Sequence, residues 1–332
     1  MSQFRPNPGG VRLHIVTGKG GTGKTTVAAA LALALASGGN RVLLCEVEGR
    51  QGIASLFDVA PLPYAERRIA VGPDAGEVFA LAIDPEAALL EYLDMFYRLG
   101  KAGKALDRFG VIDFATTVAP GMRDVLLTGK VYEATGRRDR RDKNEPAYDA
   151  VVLDAPPTGR IGRFLNVNTE VAGVAKVGPI KGQADSIMRL LRAPLTNVHL
   201  VTTLEEMPVQ ETLDTMDELR EIGLRLGAIV VNLATQPRLS ESQLAALLAC
   251  VLPSETIKAA LKRVGVEAAD AMADGLLQVG REHAERVSTE VAQRKRLDAT
   301  ELPLVELPAV PGGIELGALY ELANYLCASE EF

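Results

Sequence analysis

Eight consecutive residues, Gly18-Lys19-Gly20-Gly21-Thr22-Gly23-Lys24-Thr25, bring together four glycines, two ammonium groups and two hydroxyls. Glycines let a backbone turn tightly enough to aim successive N–H groups at phosphate oxygens. The spacing from Gly18 to Gly23-Lys24-Thr25 meets the phosphate-loop pattern. In that pattern Lys24 neutralises the β and γ phosphates of a nucleoside triphosphate and Thr25 offers its hydroxyl to Mg²⁺. Thr26, the next residue, is placed to donate to the α-phosphate. The expected chemistry is phosphoanhydride cleavage of MgATP, with Gly18, Gly20, Gly21, Thr22, Gly23, Lys24, Thr25 and Thr26 as nucleotide contacts. Lys19 is an additional cation. One residue after the first glycine, it projects from the outer edge of the loop, where it could meet a phosphate held by a facing subunit.

Such a loop has to leave a strand and open a helix, and the flanking residues do both. Residues 11–17 are apolar and rich in β-branched side chains, residues 18–23 carry the glycines, and residues 24–37 form an Ala/Leu-rich helix that Gly38 and Gly39 stop. Residues 41–46 read as a second buried strand, so the first fifty residues make a βαβ unit with a right-handed crossover. Further buried strands are expected at 78–83, 150–154, 197–202, 228–232 and 302–307, with helices between them. That alternation predicts an α/β fold with a doubly wound, mostly parallel sheet.

Stretches without a strand signal interrupt the alternation. Between residues 85 and 135, Leu89, Leu90, Leu93 and Phe96 or Tyr97 recur at helical spacing, as do Met122, Val125 and Leu126, which predicts a helical insertion. Residues 166–194, with Gly173, Gly178, Pro179 and Gly182 before a short helix, read as a second insertion and a mobile connection rather than core. Residues 137–145 mix charges of both signs and read as a solvated loop. Residues 241–295 are mainly helical and lie outside the sheet. The 332 residues are thus expected to form a single phosphate-loop ATPase domain carrying these insertions.

Composition narrows the partners. With 47% hydrophobic and 24% charged residues the chain can bury a sizeable core. A net charge of -7 argues against a nucleic-acid surface, which needs clustered Lys and Arg in excess. Cys45, Cys250 and Cys327 are far apart and form no CxxC pair, so neither a disulfide framework nor a zinc site is expected. Each reads as a buried structural cysteine, and a reducing cytosol fits them. Residues 1–10 do not have the form of a signal peptide. The most apolar run, residues 27–36, is too short to cross a bilayer, so no transmembrane segment is expected. A cytoplasmic chain follows, with peripheral membrane contact left open. His14, His199 and His283 read as structural.

The loop variant GKGGxGKT resembles the deviant Walker A of the family that contains the arsenite-pump ATPase, the tail-anchored-protein targeting ATPase, septum-site and plasmid-partition ATPases and the nitrogenase iron protein. In that family the extra lysine, here Lys19, acts across a dimer interface. The remaining chain is similar to the ArsA and tail-anchored-protein targeting branch. Val152-Leu153-Asp154-Ala155-Pro156-Pro157-Thr158-Gly159-Arg160 with Arg163-Phe164-Leu165 resembles that branch's second switch, DTAPTGHTLRFL, which implies that Asp154 lies near Mg²⁺. Residues 208–219 followed by Ile229-Val230-Val231-Asn232 resemble the helix and strand that end at its adenine-reading Asn, which implies that role for Asn232. Leu307-Pro308 followed by Gly312-Gly313-Ile314-Glu315 is similar to the branch's final nucleotide-contacting turn, which implies a contact for Pro308. Ile83-Asp84-Pro85-Glu86 and Pro120-Gly121-Met122 resemble the edges of its helical insertion.

The departures shape the expected function. Where the branch has TDPAHNL, with its Asp orienting the attacking water, this chain has Val47-Glu48-Gly49-Arg50-Gln51-Gly52-Ile53. Glu48 keeps the carboxylate with one more methylene, which can move the water out of line, so a slow or partner-dependent ATPase is expected. Glu46 is a second candidate for that role. The arsenite thiolates and the CxxC zinc motif of related proteins are missing, so the chain resembles a bacterial member without them. The helical segments also lack methionines suited to apolar clients. The expectation is a dimeric ATPase switch, a homodimer or a heterodimer with a paralogue, whose MgATP-driven closure acts on a protein client or membrane-protein partner. A nucleotide-binding regulatory subunit paired with an active paralogue is one alternative. A partition or division ATPase is another, disfavoured by the acidic C-terminal helix.

Overall fold

The first strand, β1 (Leu13–Gly18), buries all six of its residues, as a strand covered on both faces must. The computed structural model describes residues 10–97, 120–139, 142–172, 179–267, 269–329 and 331–332. After the glycine loop, α1 (Lys24–Leu35) is buried at every position from Val27 onward, because its Ala/Leu sequence is apolar on all sides and it lies between the sheet and another helix. Next come β2 (Arg41–Glu46), the short α2 (Gly52–Leu56), β3 (Arg67–Val71), β4 (Glu77–Ala82), α3 (Pro85–Tyr97) and α4 (Pro120–Gly136). After them the chain forms β5 (Ala150–Asp154), α5 (Thr158–Leu165), α6 (Val167–Ala172) and α7 (Pro179–Leu191). It continues through β6 (Thr196–Thr202), α8 (Glu206–Ile222), β7 (Leu226–Ala234), α9 (Glu241–Leu248), α10 (Ser254–Arg263), α11 (Ala269–Asp298), β8 (Leu304–Pro308) and α12 (Leu316–Ser329).

The sheet order is β3-β4-β2-β5-β1-β6-β7-β8, parallel throughout except for β3, which runs antiparallel to β4 along the edge. Helices cover both faces. On one side Leu127, Phe164, Ile187 and Leu219, from α4, α5, α7 and α8, meet Leu13, Ile15, Leu43 and Leu153 in one core. On the other side α1 and Leu319, Leu322 and Leu326 of α12 pack on Val16, Val42, Leu44 and Val152. Alternate residues of one strand therefore serve different cores, the period-two rule of the pleat. The register sets Asp154 beside both Val16 and Glu46. The ends of β1, β2 and β5 thus converge at the carboxyl edge of the sheet, where open α/β sheets bind ligands.

Three sequence expectations change. Strand β3 was not expected: Arg67, Arg68 and Val71 are exposed, and an edge strand with one solvated face carries no apolar run to announce it. The stretch read as a mobile connection ends in α7, whose Ala184, Ile187, Met188 and Leu191 are buried in the core. Its Gly173 and Gly178 lie outside the described residues, as do residues 98–119 of the expected first insertion. The charged run 137–145 is partly tied down, since Arg137 pairs with Glu66 and Glu133 and Arg138 bridges to Pro146. Residues 241–298 form α9, α10 and α11 around a small cluster of Leu247, Leu277 and Ala284. Among the described residues no helix is long and apolar enough to cross a membrane.

Candidate functional site

Two glycines of the loop between β1 and α1, Gly18 and Gly23, sit where a side chain has no room, while Gly20 and Gly21 face open space. A Cβ at Gly18 would lie 2.1 Å from the Val201 carbonyl oxygen of the neighbouring β6. Gly23 opens α1 at φ 86°, and a Cβ there would fall 2.3 Å from Nδ2 of Asn232. Within the loop the Thr22 amide and hydroxyl both donate to the Lys19 carbonyl, at 3.3 and 2.9 Å. Buried Asn232, near the end of β7, donates from Nδ2 to the Thr22 carbonyl at 2.8 Å. Asn232 therefore braces the loop from beneath. Pro308 ends β8 opposite Ala234, two residues beyond Asn232. The N-terminus of α1 points its unpaired N–H groups at the space the loop encloses, a ready anion site.

Beside the loop, the Thr25 hydroxyl donates to Asp154 Oδ2 at 2.7 Å, while Asp154 Oδ1 is buried without a hydrogen-bond partner. An orphaned carboxylate oxygen next to a threonine hydroxyl is a donor set suited to a hard dication, so these two residues fit Mg²⁺. Burial raises the Asp154 carboxyl to about 6; the Thr25 hydrogen bond and Lys24 pull it down, while Glu46 and Glu48 push it up. The ionised form is thus held at a cost that a dication would offset.

The loop after β2 contains two carboxylates in different roles. Buried Glu46 accepts from the Gly52 and Ile53 amides at 3.1 and 3.4 Å, so it anchors the start of α2. Gln51 precedes these residues at φ 56°, a left-handed conformation unusual outside glycine. Its side-chain amide grips Leu62, accepting from the amide at 2.7 Å and donating to the carbonyl at 3.2 Å. Glu48 is paired with Arg160 of α5 at 3.4 Å and with Arg50 at 3.8 Å. Lys19 leaves the loop in the other direction, pairing with Glu211 of α8. The second oxygen of Glu211 accepts from the Thr158 hydroxyl at 2.8 Å.

Comparison with known proteins gives the family. The profile of the ArsA family, described as anion-transporting ATPase, matches residues 11–196. ATPase BagA of Mycobacterium tuberculosis (strain H37Rv) is 52% identical over 317 residues, 96% of this chain and 93% of BagA. This chain belongs to the ArsA ATPase family. The arsenical pump-driving ATPase of Acidiphilium multivorum is 28% identical over 231 residues, 65% of this chain and 38% of that protein. A nucleotide substrate, usually taken with Mg²⁺, comes with membership of an ATPase family.

Of the residues singled out from this family's motifs, the fold brings Lys19, Lys24, Thr25, Glu48, Asp154 and Asn232 to one edge of the sheet. Sequence reasoning missed Glu211 and the parts played by Arg160 and Thr158. No local pattern marks Glu211, which lies on a different element 192 residues from its lysine partner. The cysteines differ from expectation. Cys45 is buried, with its thiol pushed up to about 12 chiefly by burial, but Cys250 is exposed and Cys327 only partly covered. Cys250 lies at an exposed turn between α9 and α10 at φ 55°. His14 and His199 form a buried pair: the His199 Nδ1 accepts from the Ala228 amide at 3.1 Å, so its Nε2–H donates to His14 Nδ1 at 3.1 Å.

Proposed function

We propose that this ATPase is a MgATP-driven dimeric switch, in which binding closes two subunits and Lys19 of each crosses to the phosphates of the other. The observation that carries the reading is the direction of Lys19. Its ammonium lies outside its own loop against α8, 30% exposed, while Lys24 opens the helix at the centre of the loop. A lysine turned outward from the phosphate loop suits a target on a facing subunit. In this scheme the loop amides and Lys24 bind the β and γ phosphates and Thr26 the α-phosphate. Thr25 and Asp154 hold Mg²⁺, which neutralises charge on the phosphate oxygens. Glu48 orients the attacking water, Asn232 and Pro308 border the nucleoside, and Thr25 and Asp154 couple the loop to α5. Closure then acts through the helices on a protein partner or client.

The test compares two lysine variants by nucleotide affinity and by sedimentation with magnesium and the β,γ-imido analogue of ATP. Lys24→Ala is expected to lose nucleotide affinity altogether. Lys19→Ala is expected to bind nucleotide within a few-fold of wild type and to lose both closure and hydrolysis. Lost binding in Lys19→Ala with association unchanged would overturn the reading.

One observation favours a second reading, a regulatory subunit that binds nucleotide while a paralogue hydrolyses it. Glu48 is already engaged by Arg160 and Arg50 instead of standing free beside the loop. Single-turnover hydrolysis by the isolated chain separates the two, since a regulatory subunit shows none.

A further inference from the structure

We propose that Glu211 is a positioning residue for Lys19: it holds the lysine against its own subunit and sets how much MgATP is needed to close the dimer. The inference rests on the reading of Lys19 given above. Glu211 lies in the second turn of α8, a helix whose Val209, Thr212, Thr215, Met216 and Leu219 are buried, so its carboxylate is presented from a fixed element. One oxygen takes the Lys19 ammonium and the other the Thr158 hydroxyl. These two hydrogen bonds hold the Glu211 carboxyl below the usual carboxylate range, the Lys19 bond first.

One carboxylate thus joins the phosphate loop to the first residue of α5, four residues past Asp154. A single ammonium cannot serve Glu211 and a facing subunit's phosphates together. Lys19 must leave Glu211 for closure, while the Thr158 hydroxyl can stay on the other oxygen. The exchange is feasible because the pair is weak: the two side chains are 30% and 32% exposed, and ion pairs in that setting shift an equilibrium by roughly two- to fivefold. A contact made only in the open form opposes closure by its own free energy and no more. Glu211 therefore tunes the midpoint of the switch without blocking it.

Two measurements on Glu211→Gln test this. The first is acylation of Lys19 in the chain without nucleotide, read by mass spectrometry against the exposed Lys143. The second is the concentration of magnesium and the β,γ-imido analogue of ATP at which half the protein sediments as dimer. Glu211→Gln is expected to raise Lys19 labelling several-fold and to lower the dimer midpoint roughly two- to fivefold. Glu211→Asp, which keeps the charge within reach of a flexible lysine, is expected to return both toward wild type. A merely structural role for Glu211 would not be rescued selectively at Lys19. Unchanged labelling, or a midpoint that stays or rises, overturns the proposal. The two levels of failure separate with Lys19→Met. If that variant dimerises like wild type, the crossing role of Lys19 is wrong, and the latch falls with it. If it does not dimerise while Glu211→Gln keeps the wild-type midpoint, only the latch is wrong.

Discussion

Replacing Asp154 by asparagine is expected to stabilise the chain without nucleotide while removing its response to Mg²⁺. The carboxyl is buried and raised from 3.8 to about 6, chiefly by desolvation. Two pKa units at about 1.4 kcal/mol each make the ionised form about 3 kcal/mol less favourable in the folded chain than in the unfolded one. The folded chain keeps this proton to higher pH, so it binds more protons than the unfolded chain between about pH 4 and pH 6. Stability therefore falls as pH rises through that window, and the full penalty applies above it. Asparagine removes the charge, and its amide oxygen can still accept from Thr25. Its amino group would face the position where Oδ1 has no partner, which costs about 1 kcal/mol. The net gain is about 2 kcal/mol at pH 7.5. With about 2 cal/mol/K of unfolding entropy per residue, that is about 3 °C in melting temperature. Thermal melts of both proteins from pH 4 to pH 8 test the argument, and the gain should fade toward pH 4, where folded wild-type Asp154 is protonated and the unfolded carboxyl, near its own pKa, is about half protonated, so little of the penalty remains. ATP with magnesium should protect wild type more than ATP with EDTA, and Asp154→Asn equally in both. A less stable variant at pH 7.5, or a gain that persists at pH 4, would refute the desolvation argument; a retained magnesium response would refute the metal assignment.

Other expectations follow from the same site and core. Glu48→Gln removes the charge at nearly constant shape, so single-turnover hydrolysis should fall about 100-fold with MgATP affinity kept within a few-fold; an unchanged rate makes Glu48 a bystander. His14, buried and lowered to about 4 by desolvation, binds fewer protons folded than unfolded between about pH 6.5 and pH 4. It therefore contributes stability that is present above that window and lost as pH falls through it, about 3 kcal/mol in all. His14→Gln, whose amide oxygen can still accept from His199, should flatten the slope in urea midpoints measured at pH 7 and pH 4.5. Antimonite should not stimulate hydrolysis, because Cys45 is buried with a raised thiol and no group of three thiol, imidazole or carboxylate side chains among the described residues is arranged to hold a metal. Stimulation that disappears in Cys45→Ser would overturn that expectation.

The strand-loop-helix unit around Lys24, the buried strands from β1 to β8 other than β3, and the placing of Asp154 at the end of β5 were legible in the chain itself. Each depends on a local cause: apolar runs of strand length, glycines where the backbone must turn or make way, and a helix that starts where phosphates are bound. Strand β3 escaped because exposed Arg67 and Arg68 carry no periodic signal. The burial of α7 escaped because its glycine-rich approach reads as loop, while the face that enters the core is visible only once α4, α6 and β6 are set around it.

The rest of the site depends on which elements the fold makes neighbours. β1 lies between β5 and β6, and that order brings Thr25 to Asp154 and a Val201 carbonyl to Gly18. It also puts β7 close enough for Asn232 to hold the loop. The pairing of Lys19 with Glu211 and that of His14 with His199 join residues far apart in the chain. Side-chain type and spacing show what chemistry a segment can perform. Which partner a charge or amide meets is set by the packing of distant elements, because a hydrogen bond only a few ångströms long depends on where those elements finally sit.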